Sequence, residues 1–207
     1  AAIIEAVGTL RDRGAEVTFY PFILMDIPQG NGLPDPAGSA EQGAFPWRGR
    51  IAVEANGTAA AEDEIAAFFG PATAQDFTIV GDTVRYAGSD FGFARMILHY
   101  AHLCKAAGGV AAFCVGSEMR DLLRTRDDMG AYPAVARMIA LLAEVRAVLG
   151  SDVKLSYAAD WSEYYGHHDG DDVIYHLDPL WADANVDFVG IDNYMPLSDW
   201  RAGDTHL

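Results

Sequence analysis

An apolar run at residues 110–115, Val-Ala-Ala-Phe-Cys-Val, constrains the fold of this chain more than any other segment. The run is too short to cross a membrane, and its length and composition are those of a buried parallel strand. It closes on Gly116, Ser117 and Glu118, so an acid follows the carboxyl end of the predicted strand. A (β/α) barrel places its catalytic groups at this position. Glu118 is therefore the leading candidate for a catalytic residue.

Three further strands are predicted from apolar segments that alternate with helical ones. The strands are predicted at residues 17–26, 153–159 and 186–191, and the helices at 1–13, 91–107 and 132–149, with a helical turn or two at 174–181. Strands that alternate with helices pair in parallel through right-handed crossovers. We therefore predict an α/β fold built from TIM-barrel βα units. A complete eight-fold barrel typically needs about 250 residues, so we expect only part of the barrel here.

Residues 27–88 interrupt this alternation and are rich in proline and glycine. Alternating patches at 50–53 and 77–86 predict a small β excursion, with a turn at Gly81-Asp82 and a short helix at 59–69. An insertion of this length in a compact domain is usually functional or an interaction surface. We treat residues 1–207 as a single domain that carries this insertion.

The charge balance restricts the partners of the chain. It has 30 acidic and 14 basic residues, a net charge of −16. Nucleic acid and anionic membrane surfaces repel such a chain, so we predict neither nucleic-acid binding nor membrane insertion, whereas neutral sugars tolerate the charge. The two cysteines, Cys104 and Cys114, are predicted to be buried free thiols. The chain opens at once in a helix-like segment without a signal peptide, which suggests a piece of a longer polypeptide.

Every predicted strand finishes on polar or aromatic residues. These strand-end residues are Asp26, then Ser117 and Glu118, then Asp160 and Trp161, then Asp192, Asn193 and Tyr194. In a barrel they would converge on one mouth. Aromatic faces stack on the apolar face of a sugar ring, and acids and amides bind its hydroxyl groups. Glycoside hydrolysis also needs two carboxyl groups, one as the acid and one as the nucleophile or base. The pattern predicts a carbohydrate site.

Structural roles are also available to these residues. Glu118 is suited to cap a helix or to pair with Arg120 or Arg124. Asp160 is suited to cap the following turn, and Trp161 to fill the core. The same placement at four strand ends favours the functional interpretation.

The run His167-His168-Asp169-Gly170-Asp171-Asp172 has the residue types of a metal site. Adjacent histidines in a strand or a helix point apart, and the run lacks the full calcium-loop pattern. We therefore favour a solvated acidic loop, and we predict no metal and no cofactor. A metal-dependent hydrolase that uses His167 and the neighbouring acids is a weaker alternative.

Three motifs together resemble the TIM-barrel-like domain of gene transfer agents. They are FCVGSEM at 113–119, YAADW at 157–161 and VGIDNY at 189–194. That domain belongs to a large tail-tip protein of phage-like particles of alphaproteobacteria, and it looks like a relative of the clan A glycoside hydrolases. The likeness covers residues 17–200. It implies a place in the tail of a particle assembled in the bacterial cytoplasm, beside other tail or baseplate proteins.

The resemblance also implies roles for particular residues. In clan A the acid/base Glu follows the fourth barrel strand, and Glu118 matches that position. Ser117 stands where the clan has an Asn that binds the sugar 2-hydroxyl, and Tyr194 matches an aromatic hydroxyl that follows the sixth strand. The clan nucleophile follows the seventh strand, which on this alignment lies beyond Leu207. A degenerate barrel would take its second acid from the other strand ends: Asp26, Asp160 or Asp192.

Two functional hypotheses follow. The first is a glycoside-hydrolase-like domain of a phage-type tail protein that cleaves or binds a cell-envelope glycan, with Glu118 as general acid/base. Its predicted sugar-binding residues are Asp26, Ser117, Asp160, Trp161, Asp192, Asn193 and Tyr194. The second is a non-catalytic structural or receptor-binding module that keeps the barrel, which Ser117 and the long insertion favour.

Overall fold

The computed structural model describes residues 1–35 and 38–194, and its centre is a parallel β-sheet. The strands in chain order are β1 (Thr18–Phe19), β2 (Phe77–Val80), β3 (Thr83–Tyr86), β4 (Ala112–Ser117), β5 (Lys154–Asp160), β6 (His167–Asp169), β7 (Asp172–Ile174) and β8 (Gly190–Asp192). The helices are α1 (Ala2–Asp12), α2 (Ala61–Phe69), α3 (Phe93–Ala106), α4 (Arg120–Leu123), α5 (Pro133–Leu149) and α6 (Asp178–Trp181), with 3₁₀ turns at Arg48–Arg50 and Ala74–Asp76.

Four strands form the central sheet in the order β1-β4-β5-β8, and each neighbouring pair is parallel. Their order in the sheet is their order in the chain, with α3 before β4, α5 between β4 and β5, and α6 before β8. This is the repeat of a (β/α) barrel. Within the described residues the sheet remains an open arc. The predicted α/β fold with part of a TIM barrel is confirmed.

Strand β4 is buried along its whole length, as the apolar run in the sequence predicts. Helices α3 and α5 pack against each other and against this strand. Their inward side chains are fully buried, among them Ile97, Leu98, Met138, Leu142 and Val145. Burial of these apolar side chains is the main stabilising contribution to the sheet–helix layer.

The two cysteines lie in this layer, and both are buried and free, as predicted. Cys104 belongs to α3 and Cys114 to β4. Burial raises the pKa of Cys114 to about 11. The thiol is therefore protonated and unreactive at neutral pH.

The insertion packs on the same hydrophobic core as the sheet. Phe69 of α2 is buried and meets Phe93 of α3 edge-on, with ring centroids 5.6 Å apart. Phe77 of β2 stacks on His102 of α3 at 5.0 Å. The helix α2 and the β2–β3 hairpin confirm the predictions for residues 59–69 and 77–86. The 3₁₀ turn at Arg48–Arg50 packs against α4, close to the end of β4.

Two predicted strands are shorter than the sequence pattern indicates. The strand predicted at 17–26 is reduced to β1, because Pro21 has no amide hydrogen with which to continue the ladder. The strand predicted at 186–191 is reduced to β8. There the Asp187 carboxylate accepts the Leu155 amide at 2.7 Å, and the Ser156 hydroxyl donates to the Phe188 carbonyl. These side-chain bonds accompany a backbone bond from the Asp187 amide to the Leu155 carbonyl at 2.8 Å, so the two segments stay joined where no regular ladder forms.

Three other predictions are wrong in detail. Residues 167–174 form the β6–β7 hairpin rather than a loop, with Gly170 at a φ of 61° in the turn. The patch predicted at 50–53 forms no strand. Phe91, which the sequence places on the buried face of its helix, is 89% exposed. The reason is that α3 begins at Phe93 with Gly92 as its N-cap, so Phe91 lies outside the helix.

Gly190 tests the pairing of β8 with β5. A Cβ at this position would lie 2.6 Å from the Tyr157 carbonyl oxygen. We predict that Gly190→Ala lowers the free energy of unfolding by about 1–3 kcal/mol, because the two strands must separate. Gly8→Ala is the control, since nothing lies within 4 Å of the added methyl group in α1. It should raise the free energy of unfolding by about 0.5–1 kcal/mol. Urea unfolding measures both free energies. An equal change in the two variants would contradict the pairing of β8 with β5.

Candidate active site

The carboxyl ends of three neighbouring strands place polar side chains at one edge of the sheet. β4 ends on Ser117 and is followed by Glu118, β5 ends on Asp160, and β8 ends on Asp192. Asp160 and Asp192 are register partners, and the Glu118 amide donates to the Ala158 carbonyl at 2.8 Å. The four acidic and hydroxyl residues therefore share the edge where a barrel holds its active site.

The backbone of Glu118 adopts an unusual conformation. Its φ of 49° lies in the left-handed region, which residues other than glycine rarely adopt. The register between β4 and β5 shifts between Cys114 and Ser117, and an irregularity of this kind re-aims the side chains beside it. Such conformations persist where surrounding contacts fix them, and they cluster at functional sites.

The Glu118 carboxyl group is buried and is bonded on one oxygen only. Its Oε2 accepts a hydrogen bond from the Trp47 indole at 2.7 Å and lies 2.9 Å from Nη2 of Arg48. Its Oε1 is buried and meets no hydrogen-bond donor in the described part of the chain. Burial raises the pKa of Glu118, and Asp192 raises it further, while Trp47 and Arg48 oppose the rise. A raised pKa is what a general acid requires.

The Asp192 carboxylate lies in a cluster of hydroxyl groups. The Tyr20 and Ser117 hydroxyls both donate to its Oδ2, the latter at 3.3 Å. Nη2 of Arg48 donates to the Ser117 hydroxyl at 2.7 Å. The negative charge of the Asp192 carboxylate disfavours the charged form of Glu118, which adds to the rise in the pKa of Glu118.

The buried side chains of Tyr157 and Glu163 bind the backbone after β4 and at the end of β5. The Tyr157 hydroxyl accepts the Met119 amide at 2.6 Å and donates to Glu163 at 3.1 Å. Glu163 in turn accepts the Asp160 amide at 2.7 Å. Burial raises the pKa of Glu163 to about 8. This one carboxyl connects the turn after β4 with the end of β5, and it is predominantly protonated at neutral pH.

An open cleft of about 600 Å³ lies over this edge of the sheet. Its lining residues are Trp47, Arg48, Glu118, Arg120, Asp160, Trp161, Ser162 and Tyr194. The guanidinium of Arg120 lies over the Trp47 ring at 5.0 Å, and Tyr194 is 71% exposed. The Asp160 carboxylate accepts the Ser162 amide at 2.9 Å, so Asp160 both orders the turn and faces the cleft. Aromatic faces beside a few polar groups are typical of small-molecule sites.

The structure brings most of the predicted sugar-binding residues to the surroundings of Glu118. Those in the cleft or in the cluster around Asp192 are Ser117, Asp160, Trp161, Asp192 and Tyr194. Asn193 is exposed and does not line the cleft. Asp26 is exposed on the loop that follows β1 and also lies outside the lining, because the strand ends well before it.

Sequence reasoning missed four residues that contact the site. They are Tyr20, Trp47, Arg48 and Glu163. Tyr20 follows the short strand β1 directly, so reading Pro21 as the end of that strand would have found it. Trp47 and Arg48 belong to the insertion, where no periodic pattern gives a position. The ion-pair partner of Glu118 is therefore Arg48, rather than Arg120 or Arg124.

The His167–His168 pair does not form a metal site with its neighbours. Among the described residues no three His, Cys, Asp or Glu side chains are grouped to hold a metal ion. Both histidines belong to β6, where successive side chains point to opposite faces. Nε2 of His167 is hydrogen-bonded to the Tyr132 hydroxyl at 2.8 Å. No helix in the described part of the chain has the length and hydropathy needed to cross a membrane.

The parallel strand–helix repeat, with a buried acid at its strand ends, defines a partial TIM-barrel domain with a cleft at the usual catalytic edge. A family model for the GTA TIM-barrel-like domain matches residues 91–207. The match spans more than half of the chain, so the chain belongs to this family of gene transfer agent (GTA) domains. No curated protein matches the chain in sequence. The family match includes Glu118 but not Trp47 or Arg48, which lie in the insertion.

The indole of Trp47 lowers the pKa of Glu118 by donating to Oε2. We predict that Trp47→Phe raises the pKa of Glu118, because the carboxylate form loses this donor. Trp161→Phe is the control, since Trp161 lines the same cleft without a hydrogen bond to Glu118 among the described contacts. Carbon-13 NMR titration of the carboxyl groups measures both, with Glu118→Gln to assign the signal. An unchanged or lower pKa in Trp47→Phe would contradict the bond.

Glu163 makes the stability of the fold depend on pH. Its pKa is raised from 4.5 to about 8 in the folded chain, so the folded state keeps a proton that the unfolded state releases. The resulting stabilisation is complete below the unfolded pKa and is lost as the pH rises through the folded one. Between pH 5 and 8 the loss is roughly 3 kcal/mol.

We predict that the free energy of unfolding of Glu163→Gln changes little with this residue's titration, because Gln stays neutral. Between pH 5 and 8 it should therefore fall by roughly 3 kcal/mol less than that of the parent chain. Urea unfolding at both pH values measures this difference. Glu62→Gln, an exposed position on α2, is the control and should follow the parent chain. If the free energy of unfolding changes with pH by the same amount in all three proteins, Glu163 does not hold a proton in the folded state.

Proposed function

We propose that this domain binds a cell-envelope glycan in the cleft at the carboxyl edge of the sheet and cleaves it, with Glu118 as general acid. The observation that carries the proposal is the buried Glu118 carboxyl, which has a raised pKa and one oxygen without a donor. It lies in a cleft with two tryptophans and a tyrosine. The family supports association with a gene transfer agent, and we place the domain in the tail of that particle, beside other tail or baseplate proteins.

The cleft contains the groups that sugar binding requires. Trp47, Trp161 and Tyr194 offer aromatic faces for the apolar face of a pyranose ring. Ser162 offers its hydroxyl oxygen as an acceptor for a sugar hydroxyl group, since its own proton is donated to Asp160. The volume of about 600 Å³ is enough for one or two sugar units.

The surroundings of Glu118 suit both of its protonation states. As an acid it gives its proton to the glycosidic oxygen while the bond from that oxygen to the anomeric carbon breaks, and the second carboxylate, or a water that it deprotonates, forms the new bond to that carbon. The carboxylate that remains is stabilised on Oε2 by the Arg48 guanidinium and the Trp47 indole, which are already in place. No rearrangement of these two groups is needed between the two states.

The lining of the cleft favours Asp160 over Asp192 as the second carboxylate. The Asp192 carboxylate is engaged by the Tyr20 and Ser117 hydroxyls, and Asp192 is not among the residues that line the cleft. Asp160 lines the cleft itself. We assign Asp160 the role of nucleophile or base, and Asp192 that of raising the pKa of Glu118.

A non-catalytic glycan-recognition module is the second candidate, and one observation favours it. The Ser117 hydroxyl stands at the position expected for a sugar-binding side chain, but it is already bonded by Arg48, Tyr20 and Asp192. A hydroxyl so fully engaged is not available to a sugar. Under this hypothesis the cleft binds glycan through its aromatic faces without turnover.

Reducing-sugar release tests the catalytic proposal. Alphaproteobacterial capsule, lipopolysaccharide and peptidoglycan are incubated with the parent chain and with Glu118→Gln, Asp160→Asn and Glu62→Gln. We predict that Glu118→Gln and Asp160→Asn each lower release by a factor of 100 or more, on the order of the contribution of general acid–base catalysis. Glu62→Gln, a substitution at an exposed position on α2, should leave the rate unchanged.

Binding of the same glycans separates the two candidate functions. If Glu118→Gln still binds the glycan but no longer releases reducing sugar, the catalytic proposal is supported. Binding by the parent chain without any release contradicts the enzyme and supports the recognition module. Equal release by the parent and Glu118→Gln would show that Glu118 is not a catalytic residue.

A further inference from the structure

A series of adjoining cavities leads away from the Glu118 cleft. The cleft shares Arg120 with a neighbouring cavity of about 370 Å³, which is lined also by Arg50 and Asp121. That cavity shares Ala52 and Asp121 with a third one of about 330 Å³. The three cavities therefore adjoin one another through shared lining residues, beginning with the cleft that contains Glu118.

Arginines line the outer two cavities. We call this region the arginine groove and define it by its four cationic side chains: Arg50, Arg120, Arg124 and Arg126. The acidic residues in the same lining are Asp35 and Asp121. The groove thus carries more positive than negative charge, although the chain as a whole has a net charge of −16. It ends at His167 and His168.

The arginines of the groove are incompletely neutralised by the protein. Arg120 and Arg124 share the Asp121 carboxylate, at 3.0 and 3.7 Å. Arg50 is exposed, and among the described residues no carboxylate lies within ion-pair distance of it. Arg126 is the exception, since it pairs with Asp169 at 2.6 Å. Partly exposed pairs of this kind contribute little to stability, so the positive charge is poorly explained by the fold alone.

We propose that the glycan of this domain is acidic, and that it extends from the Glu118 cleft into the arginine groove, where guanidinium groups bind its carboxylate or phosphate substituents. The proposal rests on the glycan-binding function proposed above and names its substrate class. Guanidinium groups bind carboxylate and phosphate oxygens through paired N–H donors. A local positive groove also attracts an anionic polymer that the rest of the chain repels.

The test compares charged polymers with their neutral forms. The full chain is titrated with polygalacturonate and its fully methyl-esterified form, and with phosphomannan and dephosphorylated mannan. We expect at least one acidic polymer to bind about tenfold or more tightly than its neutral form. The pair that shows this difference identifies the source of the anionic group. The preference should weaken as salt is added.

Two double variants test the position of the binding site. Arg50→Gln with Arg124→Gln removes charge from the groove, and Arg85→Gln with Arg137→Gln removes the same charge from exposed positions on β3 and α5. We expect the first pair to weaken binding of the acidic polymer about tenfold and the second less than twofold. Arg50→Lys with Arg124→Lys should retain most of the affinity. Thermal unfolding of each variant shows whether it is folded.

Three results would overturn the inference. Equal affinity for acidic and neutral polymers would show that the groove does not bind anionic groups. Equal loss of affinity in the two glutamine double variants would show the same. Neither result affects the reducing-sugar test of the proposed function. Failure to bind any of the four polymers also overturns the inference. Tighter binding of a single-stranded DNA oligonucleotide than of either acidic polymer would assign the groove to nucleic acid.

Discussion

The contact of Arg48 and Trp47 with the Glu118 carboxyl joins the insertion to the carboxyl edge of the sheet. The ion pair at 2.9 Å and the indole bond at 2.7 Å meet on one oxygen of a carboxyl group that is otherwise buried. Without them the charged form of Glu118 would be buried with no partner, at a cost of several kcal/mol. Burial and Asp192 raise the pKa of Glu118, and these two residues limit the rise. The candidate chemistry depends on this balance.

The repeated elements could be predicted from the sequence, whereas the contacts made by irregular segments could not. The apolar run at 110–115 predicts β4, and parallel pairing then requires that the ends of β4, β5 and β8 share one edge. Asp26 shows the limit of that reasoning, because Pro21 ends the pairing before the strand reaches it. Trp47 and Arg48 lie in a stretch of turns whose path depends on tertiary packing. No periodicity in the sequence indicates that they meet Glu118.

The site uses residues from both inside and outside the segment that the family model matches. The match begins at residue 91 and contains the strand-end acids, while the groups that hold the Glu118 carboxyl come from residues before it. The insertion is packed on the common core through Phe69 and Phe77, so it is a fixed part of the site. We infer that the segment before the family match sets the acidity of Glu118 and the entrance to the cleft. It also supplies Arg50 to the arginine groove.

The most direct test of glycan binding in the cleft is an NMR titration of the four tryptophan indole N–H signals with oligosaccharides prepared from alphaproteobacterial capsule. Trp47 and Trp161 line the cleft, and Trp181 packs against the core and serves as an internal control. We predict saturable shifts of the Trp47 and Trp161 signals at one common affinity, with little change at Trp181. Saturable binding that leaves both cleft signals unmoved would contradict it.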